Sequence, residues 1–285
     1  MSFIFEGIKT AFKISRFRFW FYLAGPFTVG CIWGTKRYLD LLNLKFFVFL
    51  FYFLFPANIL LYGVNDYYDR ETDLINPKKG EKEHLISEKE RKNVKIILVT
   101  VLIFSLLLFY FMKNVFETAI FSSFLLLSIF YSARPLRFKS IPILDSASNF
   151  LYALPGVFAF YQVSGSLPIL AILVAAFLHT FAMHLFSAIP DIEYDRKTGL
   201  KTTAVLLGKK KSLLICSLLW ASFSGIVLII GKYSIFSIIT LIYPLNIIRL
   251  IVTGLEVNSI YWYYPYINTG LGGLLFLIKA IITPW

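Results

Sequence analysis

The segment Phe46–Asp73 reads FFVFLFYFLFPANILLYGVNDYYDRETD, and the fold follows from it. Its first part, Phe46–Val64, is almost uninterruptedly apolar and long enough to cross a bilayer as an α-helix. Its last nine residues hold three aspartates and an asparagine. Carboxylates at the end of a membrane span are costly and usually mark a functional site. Asn65, Asp69 and Asp73 are spaced by four, so on a helix they form one stripe of oxygen ligands.

A second acidic motif repeats the pattern of the first. The sequence D-x-E-x-D at Asp69–Asp73 recurs 122 residues later at Asp191–Asp195, again after an apolar run. The two central glutamates, Glu71 and Glu193, lie about 200° around the helix from the flanking aspartates and are left out of the metal set. Carboxylates that face one cavity repel each other unless a cation lies between them. Hard oxygen ligands of this kind predict Mg²⁺, which often shares its ligands with substrate phosphates.

The composition is that of a polytopic α-helical membrane protein. Of the 285 residues, 58% are hydrophobic and 15% are charged, against about half and a quarter in soluble domains. The alternation typical of outer-membrane barrels is absent. We predict about nine transmembrane helices around an apolar cavity, with the active site at the cytoplasmic face. Their bounds are Arg18–Gly34, Phe46–Val64, Val94–Met112, Val115–Ser132, Ile143–Gln162, Leu167–Ile189, Ser212–Ile230, Ser234–Ile251 and Tyr264–Ile282.

The chain is predicted to be one domain, residues 1–285. Residues 1–17 carry apolar and basic side chains at helical spacing, so we expect an amphipathic helix on the cytoplasmic membrane surface. No cleavage-site signature follows the basic stretch, so we expect the first span to be retained.

Basic residues fix the predicted orientation. The net charge is +12, but the lysines and arginines lie in short loops between spans, where membrane topology and lipid headgroups account for them. We therefore predict no nucleic-acid partner, and the sequence indicates no obligatory protein partner. With the N-terminus inside, 22 of the 28 basic residues fall in cytoplasmic segments. This asymmetry predicts a multi-pass cell-membrane protein with both acidic motifs in the cytoplasm and the C-terminus outside.

Cations on the same predicted face complement the aspartates. The loop YSARPLRFK, Tyr131–Lys139, supplies Arg137 and Lys139, which are suited to clamp diphosphate oxygens. Lys201, after the second motif, is a further candidate. Aspartates, cations and an apolar cavity together predict a substrate with an apolar tail and a diphosphate. Metal and cations would stabilise the departing diphosphate while the allylic C–O bond ionises, and the cavity would exclude water.

The sequence NDYYDRETD followed by IPDIEYDRKTG resembles the paired aspartate motifs of the UbiA superfamily of intramembrane prenyltransferases. The resemblance covers nearly the whole chain. It implies Mg²⁺-dependent transfer of a prenyl group from an isoprenoid diphosphate to a lipophilic acceptor within the membrane. It assigns the metal to Asn65, Asp66, Asp69, Asp73, Asp191 and Asp195, with Asp69, Asp73, Asp191 and Asp195 as the catalytic carboxylates. It assigns the diphosphate to Asn65, Tyr131, Arg137 and Lys139.

Two loops point to a subgroup. The stretches YSARPLRFKSIPILDSASNFLYALPG and DRKTGLKTTAVLLG resemble the lycopene elongase type, which adds dimethylallyl units to lycopene to build C50 carotenoids. Arg134 departs from the proline that relatives often carry at this position. Alternative acceptors are an aromatic or quinone precursor and a glyceryl phosphate lipid. A secondary transporter is the alternative from another class, but its ionisable groups usually lie at the membrane midplane.

Overall fold

The computed structural model describes residues 2–73 and 85–284, without the side chains of residues 2–4, 72, 73 and 89. Helices joined by turns and loops make up these residues, and no β-strand forms within them. The prediction of an all-α protein is therefore confirmed. The helices are α1 Ser2–Ile14, α2 Phe21–Gly34, α3 Leu44–Leu54, α4 Pro56–Asp73, α5 Glu88–Leu107, α6 Val115–Phe130, α7 Leu144–Ala147, α8 Leu154–Ser164, α9 Leu170–Ala188, α10 Ile192–Lys197, α11 Thr203–Ile230, α12 Ile235–Ile239, α13 Ile242–Thr253, α14 Asn258–Tyr261 and α15 Tyr264–Ile282.

Six helical stretches in the described part of the chain are long and apolar enough to cross a membrane. Each corresponds to one of the predicted spans, and their number makes the protein a multi-pass membrane protein. Many large apolar side chains on them remain exposed, as lipid-facing residues must. The stretches are Leu44–Glu71, Glu90–Phe111, Leu170–Lys197, Thr203–Ile230, Ile235–Thr253 and Asn258–Ile282.

The other three predicted spans correspond to shorter helices. The first matches α2, with 14 residues, and the fourth matches α6, with 16. Both are below the 17 or so residues that a span needs. The fifth is divided into α7, a 3₁₀ turn and the 11-residue α8. Pro155 is the second residue of α8, where its missing N–H costs nothing, so a new helix begins there instead of the old one continuing. The count of nine stays a prediction.

The chain divides into two compact units. The first comprises Met1–Arg137, Leu154–Gly165 and Thr283–Trp285, and the second comprises Phe138–Ala153 and Ser166–Ile282. The first acidic motif lies in the first unit, and the second motif lies in the second unit. The prediction of a single domain over residues 1–285 stays a prediction.

Small residues bring α2 and α8 together in the first unit. A Cβ atom on Gly30 would overlap the backbone of Gly156 on α8. Such close backbone approach through small residues is how helices pack where no water drives them together. Beside this contact, buried aromatic rings of α3, α6 and α8 form the interior: Phe49, Phe53, Phe121, Phe124 and Phe158.

The N-terminal helix α1 has one buried and one exposed apolar side. Thr10 and Ile14 are buried, whereas Phe5, Ile8 and Phe12 are exposed. The exposed residues recur at intervals of three and four, so they share one face. The predicted helix is therefore present, and its place on the membrane surface stays a prediction.

Long helices α9, α11 and α13 make up the centre of the second unit. Their interface holds the aromatic residues Phe186, Trp220 and Tyr243, which are all buried. Tyr264 of α15 stacks on Trp220 with ring centroids 5.2 Å apart. This interior holds α9 in place, and α9 leads into the second acidic motif.

Candidate active site

The first acidic motif occupies the last two turns of α4. Asn65 and Asp69 lie on the same face because they are four residues apart. The Asn65 Nδ2 atom donates to Asp69 Oδ2 at 2.8 Å and to the Ser132 hydroxyl at 2.8 Å. Asp69 is only 2% exposed. Asp73 is the last residue of α4, and its side chain lies outside the described ones.

The basic loop reaches the first motif through two residues. Arg137 Nη2 donates to Asp69 Oδ1 at 3.2 Å, and Ser132 accepts the bond from Asn65. Arg137 has a φ of 43°, and a cis peptide joins Arg134 to Pro135 in the same loop. The structure therefore brings together the predicted residues Asn65, Asp69 and Arg137. It also adds Ser132, which the sequence pattern did not single out although it belongs to the same loop.

A cavity of about 280 Å³ lies beside this cluster in the first unit. Its described lining is Tyr67, Tyr68, Arg70, Glu71, Arg91, Ser132, Arg134 and Arg137. Glu88 forms ion pairs with two of the four guanidinium groups, at 2.7 Å to Arg70 and 3.7 Å to Arg91. The cavity therefore has an arginine-rich lining that also includes the Glu71 carboxylate.

Asp66 faces a different partner from the rest of its motif. Its carboxylate is 3% exposed and forms an ion pair with Arg16 at 2.5 Å. Arg16 lies in the turn after α1 and also places its guanidinium over the Tyr62 ring, 5.0 Å from the centroid. This contact ties α1 to α4. The predicted metal role of Asp66 would have to compete with that guanidinium.

The second acidic motif begins where α9 ends. Pro190 follows the last residues of α9, so Asp191 closes a 3₁₀ turn and Asp195 lies within the short helix α10. Both aspartates are partly buried, whereas Glu193 is exposed and pairs with Arg196 at 3.1 Å. This outward direction agrees with its omission from the metal set.

Three other residues predicted to bind the diphosphate differ in their exposure to solvent. Tyr131 is partly buried directly after α6, and Lys139 is partly buried in the 3₁₀ turn Phe138–Ser140. Lys201 is exposed just before α11.

The ligand chemistry of the motifs fits Mg²⁺. Among the side chains that the structure describes, which do not include that of Asp73, no three His, Cys, Asp or Glu lie close enough to hold a metal by themselves. Mg²⁺ does not need such a group, because it keeps several waters and binds through one or two carboxylates plus phosphate oxygens. The first motif offers a buried carboxylate, Asp69, and an amide oxygen on Asn65 one turn before it.

Comparison with known proteins identifies the family. The model of the UbiA prenyltransferase family matches residues 23–277. The chain belongs to the UbiA prenyltransferase family. It is therefore a prenyltransferase-family enzyme, and the resemblance seen in the two aspartate motifs is confirmed.

Similar proteins in this family carry more specific names. The chain is 40% identical to a lycopene elongase/hydratase of Haloferax volcanii, over 93% of this chain and 86% of the relative. It is 38% identical to the lycopene elongase/hydratase of Halobacterium salinarum, over 95% and 96%. A UbiA homologue from Archaeoglobus fulgidus, solved with GPP and Mg²⁺, shares the fold with a TM-score of 0.71. That match covers 93% of this chain and 98% of the homologue at 20% identity.

The contact between Arg16 and Asp66 yields a stability prediction. Replacing Arg16 by Gln leaves the Asp66 carboxylate buried without its cation, which is expected to lower the free energy of unfolding by about 3–5 kcal/mol. Thermal unfolding of the purified protein in detergent measures this. The matched control is Arg18→Gln, which removes the same charge from an exposed side chain two residues on. Equal unfolding temperatures for the two variants would contradict the prediction.

Proposed function

We propose that the protein transfers a prenyl group from an isoprenoid diphosphate to lycopene in a Mg²⁺-dependent reaction, elongating the carotenoid towards C50. The observation that best supports this reaction is the environment of the Asp69 carboxylate. It is buried at the end of an apolar helix and bonded to both an amide and a guanidinium. The lycopene elongase/hydratase names of two relatives near 40% identity support the acceptor.

The aspartates of both motifs are proposed to hold the metal. Mg²⁺ would supply positive charge to the diphosphate as its bond to the prenyl carbon breaks. The proposed ligands and catalytic carboxylates are Asn65, Asp66, Asp69, Asp73, Asp191 and Asp195. Asp66 ranks below the others because Arg16 already neutralises it.

Arg137 is proposed to bind the diphosphate directly. One of its N–H groups is engaged by Asp69, and a guanidinium has five such donors in a planar fork. Such a fork suits phosphate oxygens, whose negative charge grows as the substrate ionises. Lys139, Lys201 and Tyr131 are proposed to assist.

The bond changes follow from this arrangement. The allylic C–O bond breaks, and its electron pair leaves with the diphosphate. A double bond of the acceptor then attacks the prenyl cation and forms the new C–C bond. The cation left on the acceptor loses a proton or takes up water, and the word hydratase in the relatives' names supports the second course. Apolar side chains around the reacting carbons must exclude water until that step.

The proposed topology has nine spans, with the N-terminus and both motifs in the cytoplasm and the C-terminus outside. The 22 of 28 basic residues on the cytoplasmic side support the orientation. The shorter helices α2 and α6 and the divided fifth segment would then cross the membrane with the six long stretches.

Loss of one motif aspartate is expected to abolish transfer. Asp69→Ala and Asp191→Ala each remove a proposed metal ligand, so prenyl transfer with Mg²⁺ should fall by at least about a hundredfold. The assay follows labelled dimethylallyl diphosphate into lycopene with purified protein, and chelation of the metal should have the same effect in the wild type. Glu193→Ala is the matched control, because Glu193 is an exposed carboxylate in the same motif. Full activity of either aspartate variant would overturn the site assignment.

Expression in a lycopene-accumulating host tests the acceptor. The wild-type chain should convert lycopene to C45 and C50 pigments, visible as mass increments of one and two prenyl units, each increased by one water where the acceptor cation is hydrated. The Asp191→Ala variant, expressed at the same level, should leave lycopene unchanged. Unchanged lycopene with the wild type, when dimethylallyl diphosphate is plentiful, would exclude lycopene as the acceptor but not prenyl transfer to another acceptor.

A further inference from the structure

A carboxylate outside both motifs is buried in the second unit. Asp145, on the short helix α7, is 0% exposed. No lysine or arginine in the described part of the chain forms an ion pair with it. Its hydrogen-bond donors come instead from Thr203, the first residue of α11. The Thr203 backbone N–H donates to Asp145 Oδ2 at 2.8 Å, and the Thr203 hydroxyl donates a short bond to Oδ1.

The backbone two residues before Asp145 is strained, and the strained residue also contacts Thr203. Ile143 has a φ of 74°, which is costly for a β-branched residue. In that conformation its N–H donates to the Thr203 hydroxyl oxygen at 2.6 Å. Thr203 is thus held by three bonds from the segment 143–145. A strained residue persists only when the surrounding contacts determine its conformation, and such residues concentrate at functional sites.

The next residue along the chain reaches the second motif. The Thr202 hydroxyl donates to Asp195 Oδ2 at 3.4 Å. The same hydroxyl oxygen accepts the Val205 N–H at 3.3 Å and so caps α11. A second bond, from Leu200 N–H to the Asp195 carbonyl at 2.8 Å, closes the turn between α10 and α11. The Asp195 side chain is therefore attached to the start of α11.

We propose that Asp145 is a positioning residue for Asp195, acting through Thr203 and Thr202. The buried carboxylate fixes Thr203, Thr203 fixes the adjoining Thr202, and Thr202 holds the Asp195 carboxylate, which would be a metal ligand. The proposal rests on the proposed function, because it assumes that Asp195 is a metal ligand. Loss of a group that orients a metal ligand in this way typically weakens metal affinity about 10–100-fold.

A role in stability alone predicts a different result. In that case, loss of the Asp145 carboxylate would lower the unfolding temperature and leave metal binding by the folded fraction unchanged. A positioning role requires weaker metal binding by protein that is still folded. Metal affinity measured on folded protein therefore separates the two.

The test measures Mn²⁺ binding to the full-length protein in detergent, by electron paramagnetic resonance with inorganic diphosphate present. Asp145→Asn keeps the size of the side chain but removes the charge, and it is expected to weaken Mn²⁺ binding at least about tenfold. Ser148→Ala is the matched control. The Ser148 hydroxyl donates to the Asp145 backbone carbonyl at 3.3 Å and not to the carboxylate. Its Mn²⁺ affinity should stay within about twofold of the wild type, and a wild-type affinity in folded Asp145→Asn would overturn the proposal.

A second pair of variants decides the matter if Asp145→Asn does not fold. Thr202→Val loses the hydroxyl that contacts Asp195, and Thr202→Ser keeps it. Weakened Mn²⁺ binding in the valine variant with recovery in the serine variant supports the proposal, and equal binding in both overturns it. Wild-type protein that binds Mn²⁺ but transfers no prenyl group would refute the proposed function alone, since the affinity ratios of the variants would still be measured.

Discussion

A carboxylate that leaves water must receive a cation or a set of hydrogen-bond donors, because an uncompensated buried charge costs several kcal/mol. Of the aspartates whose side chains the structure describes, three are 3% exposed or less: Asp66, Asp69 and Asp145. Each has a specific partner from a segment distant in the sequence, namely Arg16, Arg137 and Thr203. These contacts fix the placement of α4 and of the turn before α11 within their units.

Residues in or next to these contacts have backbone dihedral angles that are unusual outside glycine. Arg16, Arg137 and Ile143 all have positive φ values, between 43° and 74°. Outside glycine such conformations cost of order 1–3 kcal/mol each. The cost is offset where the strained residue supplies the cation for a buried carboxylate, as Arg16 does for Asp66. Strain and charge compensation therefore coincide at Asp66 and Asp69 of the first motif, and backbone strain of this kind concentrates at functional sites.

The local features of this arrangement were predictable from sequence. An apolar run ending in NDYYDRETD predicts a helix with Asn65 and Asp69 on one face, and the basic loop predicts Arg137 beside them. The partners Arg16 and Thr203 were not predicted, since they lie 50 and 58 residues from the carboxylates they contact. Helical periodicity relates residues three or four apart and carries no information about such pairs. The division of the fifth predicted span was missed for another reason. Its first eight residues, ILDSASNF, hold four polar side chains, and these together with Pro155 mark the break, whereas the segment averaged over its whole length is still apolar enough for a span.

In the proposed site Mg²⁺ joins the motif carboxylates to a diphosphate, so the metal and the diphosphate should bind together. The most direct measurement is the unfolding temperature of the purified protein with Mg²⁺, with a non-reactive prenyl thiodiphosphate, and with both. A ligand that binds only the folded state at a hundred times its Kd stabilises it by about 2.7 kcal/mol. We predict that the unfolding temperature rises by the amount that corresponds to this stabilisation only when Mg²⁺ and the thiodiphosphate are both present. An equal shift with the thiodiphosphate and chelator, or none with both, would contradict a metal-bridged diphosphate site.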